Sequence, residues 1–498
     1  MNTKIAIIGA GVSGLSAAAY LSAAGCEVHV FEKNSTPGGR ARYFITPDGY
    51  KFDMGPSWYW MPDVFEKFYN DFGYSAKDFY DLKFLNPQYT IIFENEIIEI
   101  PADFKELCLL FESIETGSSN NLIKFLKEAE YKYKTGIENL VYKPGLSLME
   151  FADVDLLKGV FRLQVFSSFS KHVRNYFKHP KLIALMEFPI LFLGAMSDET
   201  PALYSLMNYA GLKLGTGYPM GGFGKVIDVM KLIAEKQGTK FYFDADVKQL
   251  NVIENEVKTI SFNNKEFICD AVIATADYNH VEQQLLSPTY RNYSPEYWNK
   301  KTFAPSCLIF YIGINKKIQK LQHHNLFFEH GLDQHAKEIY KQPSWPSKPL
   351  FYVCCPSKTD DSVAPAGHEN LFLLMPIAPG LNDGESIRNK YFLMMMERLQ
   401  KYTGEDLLQH IDYKKSYCVD DFVRDYNAYK GNAYGLANTL MQTAHLKPKM
   451  INKKINNLFY AGQLTVPGPG IPPCLISGKI AATQLLKQLK PNLYENTI

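Results

Sequence analysis

The chain has 498 residues, a formal net charge of +1, 46% hydrophobic residues and 21% charged residues. Such a length supports more than one domain's core, and the balanced charge excludes bulk binding to nucleic acid. Eight cysteines form no C-x-x-C pair and no zinc spacing, so the reading is reduced thiols in a cytoplasmic protein without a metal site. No apolar run reaches the ~18 residues a membrane span needs. The nearest, Leu182 to Met196, contains Glu187 and Pro189. Glycines 9, 11 and 14 interrupt the apolar N-terminus where a signal core would be continuous. A soluble or peripheral protein is expected.

The first elements read as a unit. Lys4 to Ile8 is a short apolar strand that enters GAGVSG. Leu15 to Ala24 is a small, apolar helix closed by Gly25, and Glu27 to Phe31 is a second strand ending at Glu32. Strand, glycine turn, helix, strand and acid make a dinucleotide fingerprint. Gly9 permits the tight turn, Gly11 lets backbone approach a pyrophosphate, and Gly14 lets the helix pack close to the strand. Ser13 lies inside the turn, the helix start offers free N–H groups to phosphate, and Glu32 can accept from ribose hydroxyls. A second glycine element follows at Gly38-Gly39-Arg40, bringing backbone and a guanidinium toward phosphate. Asp53-Met54-Gly55-Pro56 then forces a turn.

From Pro101 to about Ala210 the pattern is helical. The Gly-Gly-x-Gly-Lys at 221–225 is no P-loop: Pro219 stands where its first glycine belongs, and Val226 follows the lysine. It reads as a turn opening a helix from Lys225 to Gln237. Beyond Gly238 the period changes to two. Lys240–Asp244, Val247–Glu254, Glu256–Phe262 and Glu266–Ile268 read as a meander, and Asp270 to Ala276 as a buried strand returning to the first sheet. Between Leu156 and Met186 stand six basic residues and no acid, with Phe161, Phe166, Phe169 and Phe177 interleaved and Phe188 and Phe192 following. That mixture suits either a helix at an anionic lipid surface or a solvated face of a helical domain.

Strands are expected at Cys307–Gly313 and Leu350–Cys354, and a helix at Ile387–Tyr402. Leu458 to Ala461 is a buried strand ending at Gly462. VPGPGIPPCLISG follows, leading into a helix from about Ile471 to Leu489 that tolerates proline only in its first turn.

The G-G-R element directly after the ribose acid resembles the FAD-binding amine-oxidase and desaturase superfamily. The C-terminal stretch is more specific and resembles the signature of bacterial-type carotenoid desaturases of the phytoene desaturase kind. It offers Asn457, Phe459, Gly462, Thr465, Pro467, Gly468, Gly470, Ile471 and Ser477, with Gly431 through Gln442 to Pro448 matching upstream. It departs at Gln463-Leu464, where two small residues are usual, and at Val466, where histidine is common.

The resemblance implies an α/β fold with a Rossmann-like FAD-binding domain, discontinuous in sequence, and a mixed helical and β-sheet substrate domain. Residues 1–100, 211–285 and 440–498 would form the first, and residues 101–210 and 286–439 the second, membrane-facing one. FAD would be held by Gly9, Gly11, Ser13, Gly14, Glu32, Gly39, Arg40, Gly55, Pro56, Val247, Gly462, Gln463, Gly470 and Ile471. Val247 would contact adenine through its backbone. N–H groups around Ile471 and Cys474 would face the electron-rich edge of the flavin. The implied reaction is desaturation of a linear C40 carotenoid, phytoene towards neurosporene or lycopene, with hydride passing to flavin N5. The substrate would come from a membrane, with the enzyme on the inner face of the cell membrane. No acid–base pair, electron acceptor, oligomeric state or covalent flavin link is identifiable. Three alternatives stand beside this reading: a later desaturase or isomerase acting on a hydroxylated or conjugated polyene, a flavin amine oxidase, and a flavin-free escort protein of prenylated GTPases. The intact glycines and Glu32 argue against the last.

Overall fold

Short runs rich in Ile, Val and Ala build the three central strands of a parallel sheet, buried on both faces. In the computed structural model, which describes residues 3–147, 150, 163–165 and 167–489, its strands are β1 (Lys4–Ile8), β2 (Glu27–Phe31), β3 (Lys240–Tyr242), β4 (Ala271–Ala274) and β5 (Leu458–Tyr460). Their spatial order is β5-β4-β1-β2-β3, all parallel. Helix α1 (Val12–Ala23) packs beside α2 (Phe223–Lys236) and α3 (Ile471–Leu489). The approach of α1 and α3 depends on Gly478, where a Cβ would fall 2.3 Å from the Ser13 carbonyl oxygen. Ser16 Oγ donates to the Leu475 carbonyl across the same contact at 2.7 Å.

One expectation is corrected here. The first of the four meander strands, Lys240–Tyr242, is the edge of the parallel sheet beside β2. Alternating exposure marks a half-covered edge as well as a meander, so the period alone could not separate them. The true meander has three antiparallel strands, Val247–Ile253, Glu256–Phe262 and Lys265–Ile268. Asn457 joins it to the sheet. Its Oδ1 accepts from Val257 N–H at 2.8 Å, and its Nδ2 donates to the carbonyls of Val257 at 2.9 Å and Asp270 at 2.7 Å.

A second sheet has seven strands, in the order Ile411–Tyr417, Ser306–Ile314, Glu369–Ile377, Phe351–Cys354, His324–Phe327, Tyr89–Ile92 and Ile97–Ile100. The stretch 1–100 therefore divides: its last two strands complete this second sheet, because Tyr89–Ile92 runs parallel to His324–Phe327. The central strand Ser306–Ile314 is buried throughout. Leu308, Phe310, Ile312 and Ile314 pack in one apolar cluster with Tyr391, Phe392, Met395 and Met396 of the helix Glu385–Thr403. Cys307, Ile309 and Tyr311 belong to the main core on the other face.

The helical region contains Phe104–Ile114, Ser118–Thr135, Phe169–Tyr176, Pro180–Glu187 and Leu206–Leu212. Phe169, Phe177 and Phe188 are each at most 1% exposed. The described part of the basic, Phe-rich stretch thus turns its phenylalanines into the core, the ordinary outcome for an amphipathic helix. Lys158, Phe161, Arg162 and Phe166 lie outside the described residues. Among the described residues no helix is long and apolar enough to cross a membrane.

Candidate active site

The carboxyl ends of β1, β2 and β4 open onto a cavity of about 250 Å³. Gly9, Gly11, Ser13, Glu32, Gly39, Arg40, Gly55, Pro56, Val247, Gly462, Gln463, Gly470 and Ile471 all line it. This is the crevice where ligands of open parallel sheets bind. Gly14 is absent from the lining. Its Cβ would sit 2.1 Å from the Gly9 carbonyl oxygen, so it serves the turn and not the cavity wall. A Cβ on Gly11, by contrast, would meet nothing within 4 Å. Nothing in the protein's own packing demands glycine there, whereas a close ligand does.

Glu32 is 5% exposed. Its Oε2 accepts from Ala10 N–H at 2.8 Å, and its Oε1 accepts from the Asn34 backbone N–H at 2.9 Å and side-chain Nδ2 at 2.8 Å. These bonds fix the carboxylate at the end of β2 with lone pairs to spare. Arg40 donates from Nη2 to the Asn432 carbonyl at 3.1 Å and stacks 5.1 Å from the Tyr426 ring centroid, while its buried Nε has no partner. An unpaired guanidinium N–H beside a glycine turn fits an anionic group such as a pyrophosphate. With its amide oriented to satisfy both ends, Gln463 accepts from Arg40 Nη2 at 3.1 Å and donates to the Ala433 carbonyl at 3.2 Å. The departure from a small residue at 463 thus has a use.

Sequence reasoning missed the far wall. Cys307, Ile309, Phe422, Asp425, Tyr426 and Tyr434 also line the cavity. Arg42 pairs with Asp425 at 3.0 Å, and Lys33 Nζ donates to the Arg424 carbonyl at 2.7 Å, so the 419–434 segment is fastened to the first fifty residues. No local motif marks these residues, because only the fold brings them there.

The VPGPG loop is locked by its neighbours. Ser477 Oγ donates to the Val466 carbonyl at 2.7 Å and accepts from Gly462 N–H at 3.0 Å, and Thr465 Oγ1 donates to the Pro448 carbonyl at 2.7 Å. Gly468, at φ +139, and Gly470, at φ +110, adopt backbone that other residues rarely tolerate. At the start of α3 the expected donors are fewer. Cys474 N–H is spent on the Gly470 carbonyl at 3.0 Å, and Pro472 and Pro473 have none. Ile471 N–H is left as the first-turn donor at the cavity.

A second cavity, of about 610 Å³, meets the first. Gly55, Pro56, Leu374, Tyr434, Gly470 and Ile471 line both. Trp58, Trp60, Met61, Phe188, Phe328 and Phe351 are among its walls, and no Asp or Glu lines it among the described residues. His335 on its wall is a neutral ring: Nδ1 accepts from Leu350 N–H at 3.0 Å and Nε2 donates to the Pro376 carbonyl at 2.8 Å. Burial pushes its pKa down to about 4.

A dinucleotide crevice continuous with a large apolar chamber is the arrangement of a flavin oxidoreductase. Residues 12–486 match the family of flavin containing amine oxidoreductases, and the chain belongs to that family. It is a FAD-dependent oxidoreductase, as its dinucleotide fingerprint anticipates. A carotenoid 3,4-desaturase of Haloarcula japonica is 40% identical over 487 residues, covering 97% of this chain and 98% of that protein. A zeta-carotene-forming phytoene desaturase of Myxococcus xanthus is 28% identical over 493 residues, covering 97% and 94%. A putrescine oxidase double mutant shares the fold with a TM-score of 0.63 at 12% identity, covering 98% of this chain and 99% of that one.

Proposed function

We propose that the protein is a carotenoid desaturase that withdraws two hydrogens from a linear polyene to form a carbon–carbon double bond. The observation that carries this reading is the apolar chamber that meets the dinucleotide crevice at Gly55-Pro56 and Gly470-Ile471. FAD bound in the crevice supplies the two-electron oxidant that an unactivated side chain cannot. The thirteen lining residues named above would hold it. Arg40 and the Gly9–Gly14 turn would take the pyrophosphate, Glu32 the ribose hydroxyls, and Ile471 N–H would donate toward the flavin. Aromatic and aliphatic walls align the chain and exclude water. The 40% identity to a 3,4-desaturase favours a late step on an already elongated polyene over phytoene itself.

An amine oxidase on the same scaffold is the second reading. A protonated amine would find no carboxylate on the described wall of this chamber, at a desolvation cost it could not recover. The test is reconstitution with FAD and liposomes carrying phytoene, lycopene or a hydroxylated linear carotenoid, followed by chromatography of the products, with putrescine and benzylamine run in parallel. New double bonds in a polyene support the proposal. Oxidation of an amine with every polyene untouched refutes it.

A further inference from the structure

The apolar chamber reaches the surface between two short segments, 143–146 and 440–446. Gly145, Leu440, Ala444 and Leu446 line it. Lys449 ties the two segments together, donating from Nζ to the carbonyls of Gly145 at 2.6 Å and His445 at 2.9 Å. Around this rim the side chains are unusually apolar for a surface. Met441 is 74% exposed, and Leu146, Leu440 and Leu446 are each 38% exposed. Four large aliphatic side chains clustered at a chamber mouth mark an interaction site, where scattered ones would not.

The setting of the rim is basic. Lys300 and Lys301 run directly into Thr302, whose N–H and carbonyl are both bonded by the Gln442 amide, at 3.1 and 2.8 Å. Lys341 and Glu199, whose backbone carbonyl accepts from Leu440 N–H at 3.4 Å, form an ion pair that adds no net charge there. Glu150 accepts from the backbone N–H groups of Gly145 and Leu146 at 2.9 and 2.8 Å, which holds its carboxylate against the backbone of the 143–146 segment. Aliphatic tips flanked by lysine are the composition that inserts at an anionic lipid interface. A polyene is insoluble in water, so a chamber that takes one must open onto lipid. This last step rests on the function proposed above, whereas the exposed rim does not.

We infer that the paired rim segments 143–146 and 440–446 are the membrane-docking surface, with Met441 and Leu146 inserting into a bilayer so that the chamber opens directly into it. The docking site is thus distinct from the basic, Phe-rich stretch, whose described phenylalanines are buried.

The test uses the full-length, FAD-loaded protein and vesicles of phosphatidylglycerol and phosphatidylcholine without polyene. Neither Met441 nor Leu146 lines the chamber, so Met441→Asp and Leu146→Asp/Met441→Asp leave its walls intact. Ile268→Asp, at a position 71% exposed on the meander, is the control. In flotation the single variant should lose about tenfold in partition and the double variant more. The control should float like the parent. Turnover of detergent-solubilised polyene and the flavin spectrum should be unchanged in all three. Undiminished flotation of the double variant, or an equal loss in Ile268→Asp, overturns the inference. Failure of detergent turnover in the parent, with rim-dependent flotation retained, counts against the proposed reaction and leaves the docking surface standing.

Discussion

Lys447 offers the sharpest energetic test. It is 2% exposed, and its Nζ has no hydrogen-bond partner. It lies behind Gly468 of the loop that bounds the apolar chamber, where a Cβ on that glycine would be 3.3 Å from both Cε and Nζ. Burial, reinforced by the like charge of Lys301, pushes its pKa down to about 7 from the ordinary 10.5. The sign follows from proton counting. Between pH 7 and about 10.5 the unfolded chain holds a proton on this amine that the folded protein has released. Stability from this group therefore rises with pH through that window and is flat below it. From pH 7 to pH 9 the gain is about 2 kcal/mol. Lys447→Met keeps the length of the side chain and deletes the amine, so the variant should lack this increment and be the more stable protein at pH 7. Urea unfolding of the FAD-loaded parent and variant at pH 7 and pH 9, followed by tryptophan fluorescence and flavin release, measures it. The difference between the two proteins cancels every other titrating group. An identical pH increment in parent and variant refutes the reasoning, because the amine would then be charged or solvated in the folded state.

Three more outcomes follow from the crevice and its supports. Glu32→Ala removes the acceptor of three hydrogen bonds and the expected ribose contact, and should lower FAD affinity by about tenfold to a hundredfold, read from the ratio of 450 to 280 nm absorbance after gel filtration. Gly14→Ala places a methyl 2.1 Å from the Gly9 carbonyl oxygen, so soluble protein with normal flavin content would contradict the role given to that glycine. Asn457→Ala leaves Val257 N–H buried and unpaired and should cost about 2–3 kcal/mol, seen as a lower Tm with the flavin spectrum unaltered.

The dinucleotide half of the site was legible because its physics is local. A glycine turn, its helix and the acid after the second strand lie within the first 32 residues. The VPGPGIPP loop was legible for a similar reason: only a stiff, glycine-broken connection fits so many prolines. Other parts required the third dimension. Asn457 reads as part of a family signature, yet its side chain serves the junction of two sheets and never reaches the cavity. Tyr89–Ile100 looks like a continuation of the first domain, but its partner strand lies over two hundred residues on. The phenylalanines between 169 and 188 carried a pattern common to membrane surfaces and buried helix faces, and packing chose the second. The rim at 440–446 lies inside the matched Gly431–Pro448 stretch, but nothing in that match marks Leu440, Met441 and Leu446 as exposed or brings Leu146 beside them, which only the fold does.

The strand Ser306–Ile314 has a consequence for motion. Its alternate residues anchor the helix Glu385–Thr403 on one side, while Cys307 and Ile309 wall the glycine-rich crevice on the other. Both neighbours in its sheet are long, with nine paired residues to Glu369–Ile377. Widening the crevice from this side would break a central ladder and expose two cores at once, an opening near the top of the local-stability scale. The cofactor should therefore leave on the timescale of partial unfolding. Slow hydrogen exchange at Phe310 and Tyr311 and slow flavin release should share one temperature dependence.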